Sequence, residues 1–424
     1  MPVPLLPEDI LQVILDSIRD KTSQPTRESQ ATFSALCLVS AQLLPLARAR
    51  LYYRPVNPDI ANPKSAATLL NYAVRSGDGK LGRLVRSLEG LGPWIAKTRA
   101  RAEPHKDTPP YSLLSACREI HSLELALGSN SELEVAVEAL RDTSCIKFFR
   151  LVPLETGLEE EEDLTGEDLV FDVLRLRPFR DVTSFELDLF CVSPEDTFPP
   201  LVELQLEKLS IDASYVKFPQ VTQFFPTDPS YLKDFQIVLL CPEEAEVVAA
   251  LSLLHSGMQR ISFPYAPHLR HVGALSKYRN EHPPGTPLLD RLVCAPSIPI
   301  FALERFPQLV DLTLATFRGP SLLLLESLAG SSPLLRKLSF YDSYWVPTGQ
   351  RATQVEALTD EEYYKLVFSE EEVARVLRIF PNLVSIHLGY LPVGLEEEAD
   401  PIPTIRALAR QQGIKVEWEP CSQK

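Results

Sequence analysis

The chain has 424 residues, 45% of them apolar, and a formal net charge of −15. That apolar share is ordinary for a globular protein and argues against wholesale disorder. The acid excess argues against a general binder of nucleic acid or anionic membrane, both of which need cationic surface; Lys97 to Lys106 is a local basic exception.

The N-terminus lacks a basic segment followed by an apolar one, so no secretory signal is expected. No uninterrupted apolar run approaches the ~20 residues that span a bilayer, and the richest, SLLLLESLAG, is broken by Glu326. The seven cysteines (Cys37, Cys117, Cys145, Cys191, Cys241, Cys294 and Cys421) include no C-x-x-C pair. They read as reduced thiols used as small apolar side chains, which places the chain in the cytoplasm or nucleus.

The first element is a helix over residues 6–18. Pro7 suits its first turn, where a missing N–H has no intrahelical partner to lose. Glu8 and Asp9 meet the positive end of the helix dipole. Ile10, Leu11, Ile14, Leu15 and Ile18 then form one apolar stripe at helical spacing. The polar stretch RDKTSQPTRESQ, with Pro25, reads as a loop. A second helix carries Phe33, Leu36, Cys37, Leu38, Val39, Leu43 and Leu44, with almost no polar face, so it must be covered on several sides. Pro45 starts a third short helix, which ends at Arg54-Pro55 because a residue before proline is biased out of the helical region. These fifty-odd residues hold more apolar surface than so small a module can hide in itself. The surplus meets either the rest of the chain or another protein.

LPEDILQVIL followed by LCLVSAQLLPLARARLYY resembles the F-box, and the ending LARARLYYRPV is especially similar to F-box proteins of fungi. The matching positions are Leu6, Pro7, Ile10, Leu11, Ile14, Leu36, Val39, Ser40, Leu43, Leu51 and Tyr52. The resemblance covers roughly residues 4–56. Leu43 stands where an aromatic is common, and the connection Arg19 to Thr32 is longer than the family's usual one. The resemblance implies that these residues bind a Skp adaptor and, through it, a cullin.

After Asn57 the pattern apolar-x-x-apolar-x-apolar recurs. Its central positions fall at Leu88, Leu123, Phe149, Phe185, Leu204, Phe235, Ile261, Leu292, Leu312, Leu338, Ile386 and Val416, at intervals of 19 to 48 residues. Stretches with helical periodicity lie between them: residues 65–76, 131–143, 166–178, 242–257, 320–332, 369–382 and 404–413. Ser369 with Glu372 and Thr359 with Glu362 fit capping boxes. A short strand plus a helix, repeated, is the signature of a leucine-rich-repeat solenoid with parallel strands on one face and helices on the other. The expected organisation is α/β: an F-box over 1–56 and an irregular leucine-rich-repeat domain over 57–424. The segments 92–110 (basic), 155–166 (acidic) and 341–369 read as loops.

No catalytic constellation is present. The seven histidines are dispersed, and His268 with His271 has no partner set to complete a metal site. There is no P-loop and no G-x-S-x-G elbow. The chain is therefore expected not to be an enzyme and to use no cofactor or metal. The reading is a substrate-recognition subunit of an SCF-type cullin–RING ubiquitin ligase, with the repeat array holding a protein target. The alternative is a non-degradative scaffold with a vestigial F-box. For target binding, alternation along the strands points Glu124, Glu186, Asp188, Glu203, Gln205 and Glu207 to the open side, as an acidic strip that would attract a basic peptide. Arg260, Arg291 and Lys337 at equivalent later positions split the charge of that face.

Overall fold

The computed structural model of the chain describes residues 7–18, 27–53, 81–89, 91, 111–127, 130–143, 146–153, 177–188, 204–213, 221–222, 225–226, 228–239, 244–263, 303–315, 322–341, 370–390 and 403–419. The chain divides into two compact units, Met1–Leu204 and Gln205–Lys424. The expected loops 92–110 and 155–166, the helices at 65–76 and most of 166–178, and both capping boxes lie outside the described residues.

The first unit opens with three helices: α1 (Glu8–Ser17), α2 (Arg27–Val39) and α3 (Leu43–Tyr53). The second helix starts earlier than the polar stretch suggests. Arg27 to Gln30, expected to be loop, form its first turn. Ser40 caps the third: its Oγ accepts from Leu43 N–H (3.1 Å) and its carbonyl from Leu44 N–H (3.0 Å). Helix α3 thus starts ahead of Pro45, and the proline sits in the first turn, where its absent N–H costs nothing. Leu15, Phe33 and Ala47 make the small core, with Ile18, Leu36, Cys37, Leu46 and Leu51 packed on it. Arg50 ties α3 to α1 through Asp16 (2.5 Å) and Gln12 (3.2 Å).

Four parallel strands follow in chain order: β1 (Ser87–Leu88), β2 (Ser122–Leu127), β3 (Phe148–Pro153) and β4 (Ser184–Asp188). Helix α4 (Tyr111–Ala116) lies between β1 and β2, and α5 (Asn130–Ala139) between β2 and β3. At six residues α4 is too short to show a helical period, so the sequence reading missed it. The second unit continues the same scheme. Its strands are β5 (Lys208–Ala213), β6 (Asp234–Leu239), β7 (Arg260–Phe263), β8 (Asp311–Ala315), β9 (Lys337–Tyr341), β10 (Ser385–Tyr390) and β11 (Lys415–Glu419), each parallel to the next. Helices α6 (Glu244–Ser252), α7 (Leu322–Ser331), α8 (Glu370–Ile379) and α9 (Pro403–Gln412) follow β6, β8, β9 and β10. Strand–helix units in strict chain order are the solenoid arrangement expected. Gly413, at φ 71°, closes α9 while Ile414 N–H reaches back to the Ala409 carbonyl (2.8 Å), a turn that favours glycine.

The stack is held in register by one side chain per strand. Leu123, Phe149 and Phe185 lie side by side in the first unit. Leu209, Phe235, Ile261, Leu312, Leu338 and Ile386 do so in the second. All are essentially without solvent exposure. Three residues earlier each repeat has a second buried residue: Val85, Ile120, Ile146 and Val182 in the first unit, and Leu206, Leu232, Met258, Leu309, Leu335 and Leu383 in the second. Phe149 lies against Phe179 and Phe185, with ring centroids 4.8 and 5.8 Å apart. Backbone bonds repeat with the same period. The carbonyls of Arg86, His121, Lys147, Glu207, Lys233, Gln259, Val310 and Arg336 each accept two N–H groups from the following repeat, at 2.7 to 3.1 Å.

One of the expected repeat centres is corrected. Leu209, not Leu204, pairs with Phe235. The repeat is therefore LEKLSI, and Phe185, Leu209 and Phe235 fall at intervals of 24 and 26 residues. LVELQL and LEKLSI overlap and both fit the pattern, so only pairing decides between them. Strand β7 pairs directly with β8, Ile261 beside Leu312; the expected centre Leu292 lies outside the described residues. Among the described residues no helix is long and apolar enough to cross a membrane. Cys117 is buried, which pushes its thiol up to about 12, consistent with use as an apolar side chain.

Leu338→Ala, in the strand-centre row of the second unit, should cost about 2–5 kcal/mol of unfolding free energy. Urea unfolding followed by circular dichroism measures it.

Candidate functional site

Two surfaces stand out: the outer face of the helical module and the polar rows on the strands. On α1 the expected single stripe divides in two. Leu11 and Leu15 turn inward and are buried, while Ile10, Val13 and Ile14 stay 45%, 67% and 41% exposed. At 100° per residue, Val13, Ile10 and Ile14 span one arc and Leu11, Leu15 and Ile18 the next. At the end of α2, Leu38 is 88% exposed and Val39 67%. Isolated exposed apolar residues are ordinary. Here α1 exposes three and the end of α2 two, on a single three-helix module.

Of the other F-box-like positions, Pro7 and Ser40 are exposed, and Leu36, Leu43, Leu51 and Tyr52 are half-buried. Leu36 and Leu51 pack on the module's core. Leu6 lies outside the described residues. Val13 and Leu38 were not singled out from the sequence. Val13 lies three residues after Ile10, a spacing that carried the signal. Leu38 sits inside an unbroken apolar run, where periodicity cannot tell inside from outside.

The strand rows carry charge in a pattern that the sequence did not reveal. In the first unit Glu124, Arg150 and Glu186 are adjacent across β2, β3 and β4. Arg150 pairs with both acids, at 3.1 Å to Glu124 and 3.6 Å to Glu186. The expected acidic strip is thus interrupted by a cation at its centre. Asp188 ends β4, its side chain outside the described residues, as is all of Glu203. Gln205 and Glu207 belong to the second unit and precede β5 instead of alternating along a strand. Glu207 is paired with Lys233 (3.3 Å).

In the second unit the first residue of successive strands reads Lys208, Asp234, Arg260, Asp311 and Lys337, all in register. Signs alternate, and Arg260 meets Asp234 at 3.5 Å while Lys337 meets Asp311 at 3.6 Å. Two positions on, the same strands carry Ser210, Gln236, Ser262, Thr313 and Ser339, small or uncharged groups. Asp311 Oδ1 is buried and has no hydrogen-bond partner among the described residues. Burial raises the carboxyl of Asp311 above its ordinary value of 3.8, against the opposing pull of Lys337 and Arg260. Among the described residues no three His, Cys, Asp or Glu side chains gather as metal ligands.

No family model matches the chain, and no curated protein does. One solved structure, the crystal structure of the Rad7 and Elc1 complex in yeast, aligns with 98% of this chain and 98% of that chain at 12% identity, with a TM-score of 0.37. A superposition at that level assigns neither family nor partner, so the functional reading rests on the chain's own residues.

Because the carboxyl of Asp311 is raised in the folded state, the fold favours its neutral form. That contribution is complete below 3.8 and is lost as pH rises through the raised value. Asp311→Asn, uncharged at every pH, should therefore melt above the parent chain near neutral pH. The gap should close in acid below 3.8. Thermal unfolding across a pH series checks both halves of this expectation.

Proposed function

We propose that this chain is a substrate-recognition subunit of an SCF-type cullin–RING ubiquitin ligase. Residues 1–56 dock a Skp adaptor, and residues 57–424 hold a protein target. The chain itself performs no chemistry. It supplies proximity between a target and a ubiquitin-conjugating enzyme recruited through the adaptor and cullin.

The observation that carries this reading is that Ile10, Val13 and Ile14 on α1, and Leu38 and Val39 at the end of α2, stay exposed on a module whose own core is already filled by Leu15, Phe33 and Ala47. Covering such side chains yields ~1.5 to 3 kcal/mol for each large one fully buried. Three of them, Ile10, Ile14 and Val39, are F-box-like positions. Strand–helix repeats supply a long surface of polar rows on a rigid stack, which suits recognition of another protein.

The test is direct binding of purified Skp adaptor to the full chain. Val13→Glu with Leu38→Glu changes two exposed positions and should leave the fold intact. It should weaken the adaptor complex at least about tenfold, or ~1.4 kcal/mol. Equal affinity in the folded double variant would remove the assignment. If the unaltered chain captured neither adaptor nor cullin, the chain would be a scaffold.

A further inference from the structure

We propose that α3 is the N-terminal cap of the strand ladder in the first unit, so that the helical module and the first repeats unfold as one body. The inference rests on the backbone of that unit and stands whether or not the module binds a Skp adaptor.

The ladder has a fixed rung. The residue two before each strand centre donates its N–H to the carbonyl of its counterpart one repeat earlier. His121 donates to Arg86 (2.7 Å), Lys147 to His121 (2.8 Å) and Thr183 to Lys147 (2.9 Å). Arg86 begins the series: among the described residues no strand precedes β1, which pairs with β2. Its N–H goes instead to the carbonyl of Tyr53, the last residue of α3, at 3.0 Å. Tyr53 therefore fills the place of a missing repeat. A carbonyl at a helix C-terminus has no intrahelical donor, so each group satisfies the other.

Packing points the same way. The 3-10 turn Gly82–Leu84, which leads into β1, lies between α3 on one side and α4 on the other. Gly82 is buried, and a Cβ there would run into the carbonyl of Ala116. The turn cannot move off α4 without opening the contact, nor shift away from α3 without losing the Tyr53 bond. Arg86 adds a side-chain tie onward, to the carbonyl (3.0 Å) and carboxylate (2.9 Å) of Glu119. Terminal repeats of a solenoid need a cap for the face they leave uncovered, and here the docking module itself supplies it. Anything that binds and stabilises the module then stabilises the first repeats as well.

Hydrogen exchange on the full chain, read by mass spectrometry, tests this. Leu15→Ala perturbs only the core of the module. If the cap is real, exchange should accelerate by about tenfold or more both in α1–α3 and in β2 and β3, while β8 and β9 serve as the internal reference. Acceleration confined to α1–α3 would overturn the proposal. Leu15→Val gives the same comparison with a smaller perturbation if the alanine variant does not fold. A second pair isolates the bond. Arg86→Pro removes the N–H, and Val85, at φ −75° and ψ 121°, already has the extended backbone that precedes proline. Arg86→Ala keeps the N–H and loses the same side chain. Faster exchange of the α3 amides in the proline variant alone is expected. Equal protection in the two variants would overturn the proposal.

Discussion

The structure depends on one constraint: a parallel strand of two to six residues cannot satisfy its backbone or bury its side chains alone. Eight carbonyls just ahead of strands each accept two N–H groups from the next repeat, and the paired strand centres cover one another. Remove one repeat and two backbone donors and an apolar row lose their partners together. Buried groups of this kind are costly to leave unpaired. That is why the strands run in chain order and why each repeat holds its neighbours in register.

The same constraint shapes the polar side chains. Parallel, in-register strands place residues of the same repeat position about 4.8 Å apart, so like charges would repel along a row. The second unit avoids this by alternating Lys208, Asp234, Arg260, Asp311 and Lys337, and the first by placing Arg150 between Glu124 and Glu186. These pairs are partly exposed and individually weak. Their effect is a row balanced in charge rather than a field of one sign. His255 shows the same economy at the turn before β7. Gly257 N–H donates to its Nδ1 (3.0 Å), which leaves Nε2 to donate to the Leu232 carbonyl of the previous repeat (2.5 Å).

The helical module has both a filled core and exposed apolar residues. It reaches the ladder through Tyr53. A module this small has little stability of its own, so the bond from Arg86 N–H to the Tyr53 carbonyl gives it a second point of attachment.

The sequence by itself determined the repeat, its apolar positions and the helical character of the N-terminus, because each rests on local periodicity that survives without partners. Ten strand centres, from Leu88 to Val416, could be named from the pattern alone. The early start of α2 at Arg27 was not, since a polar turn with no apolar residue, such as Arg27 to Gln30, looks the same in a helix and a loop. Tertiary structure alone decided three matters. Pairing with Phe235 chose Leu209 over Leu204 where two overlapping motifs fitted equally. Packing around Leu15 sorted one apparent stripe on α1 into a buried half and an exposed half. Cross-strand register set Arg150 between two acids 26 residues before it and 36 after it, a neighbour relation that no local window contains.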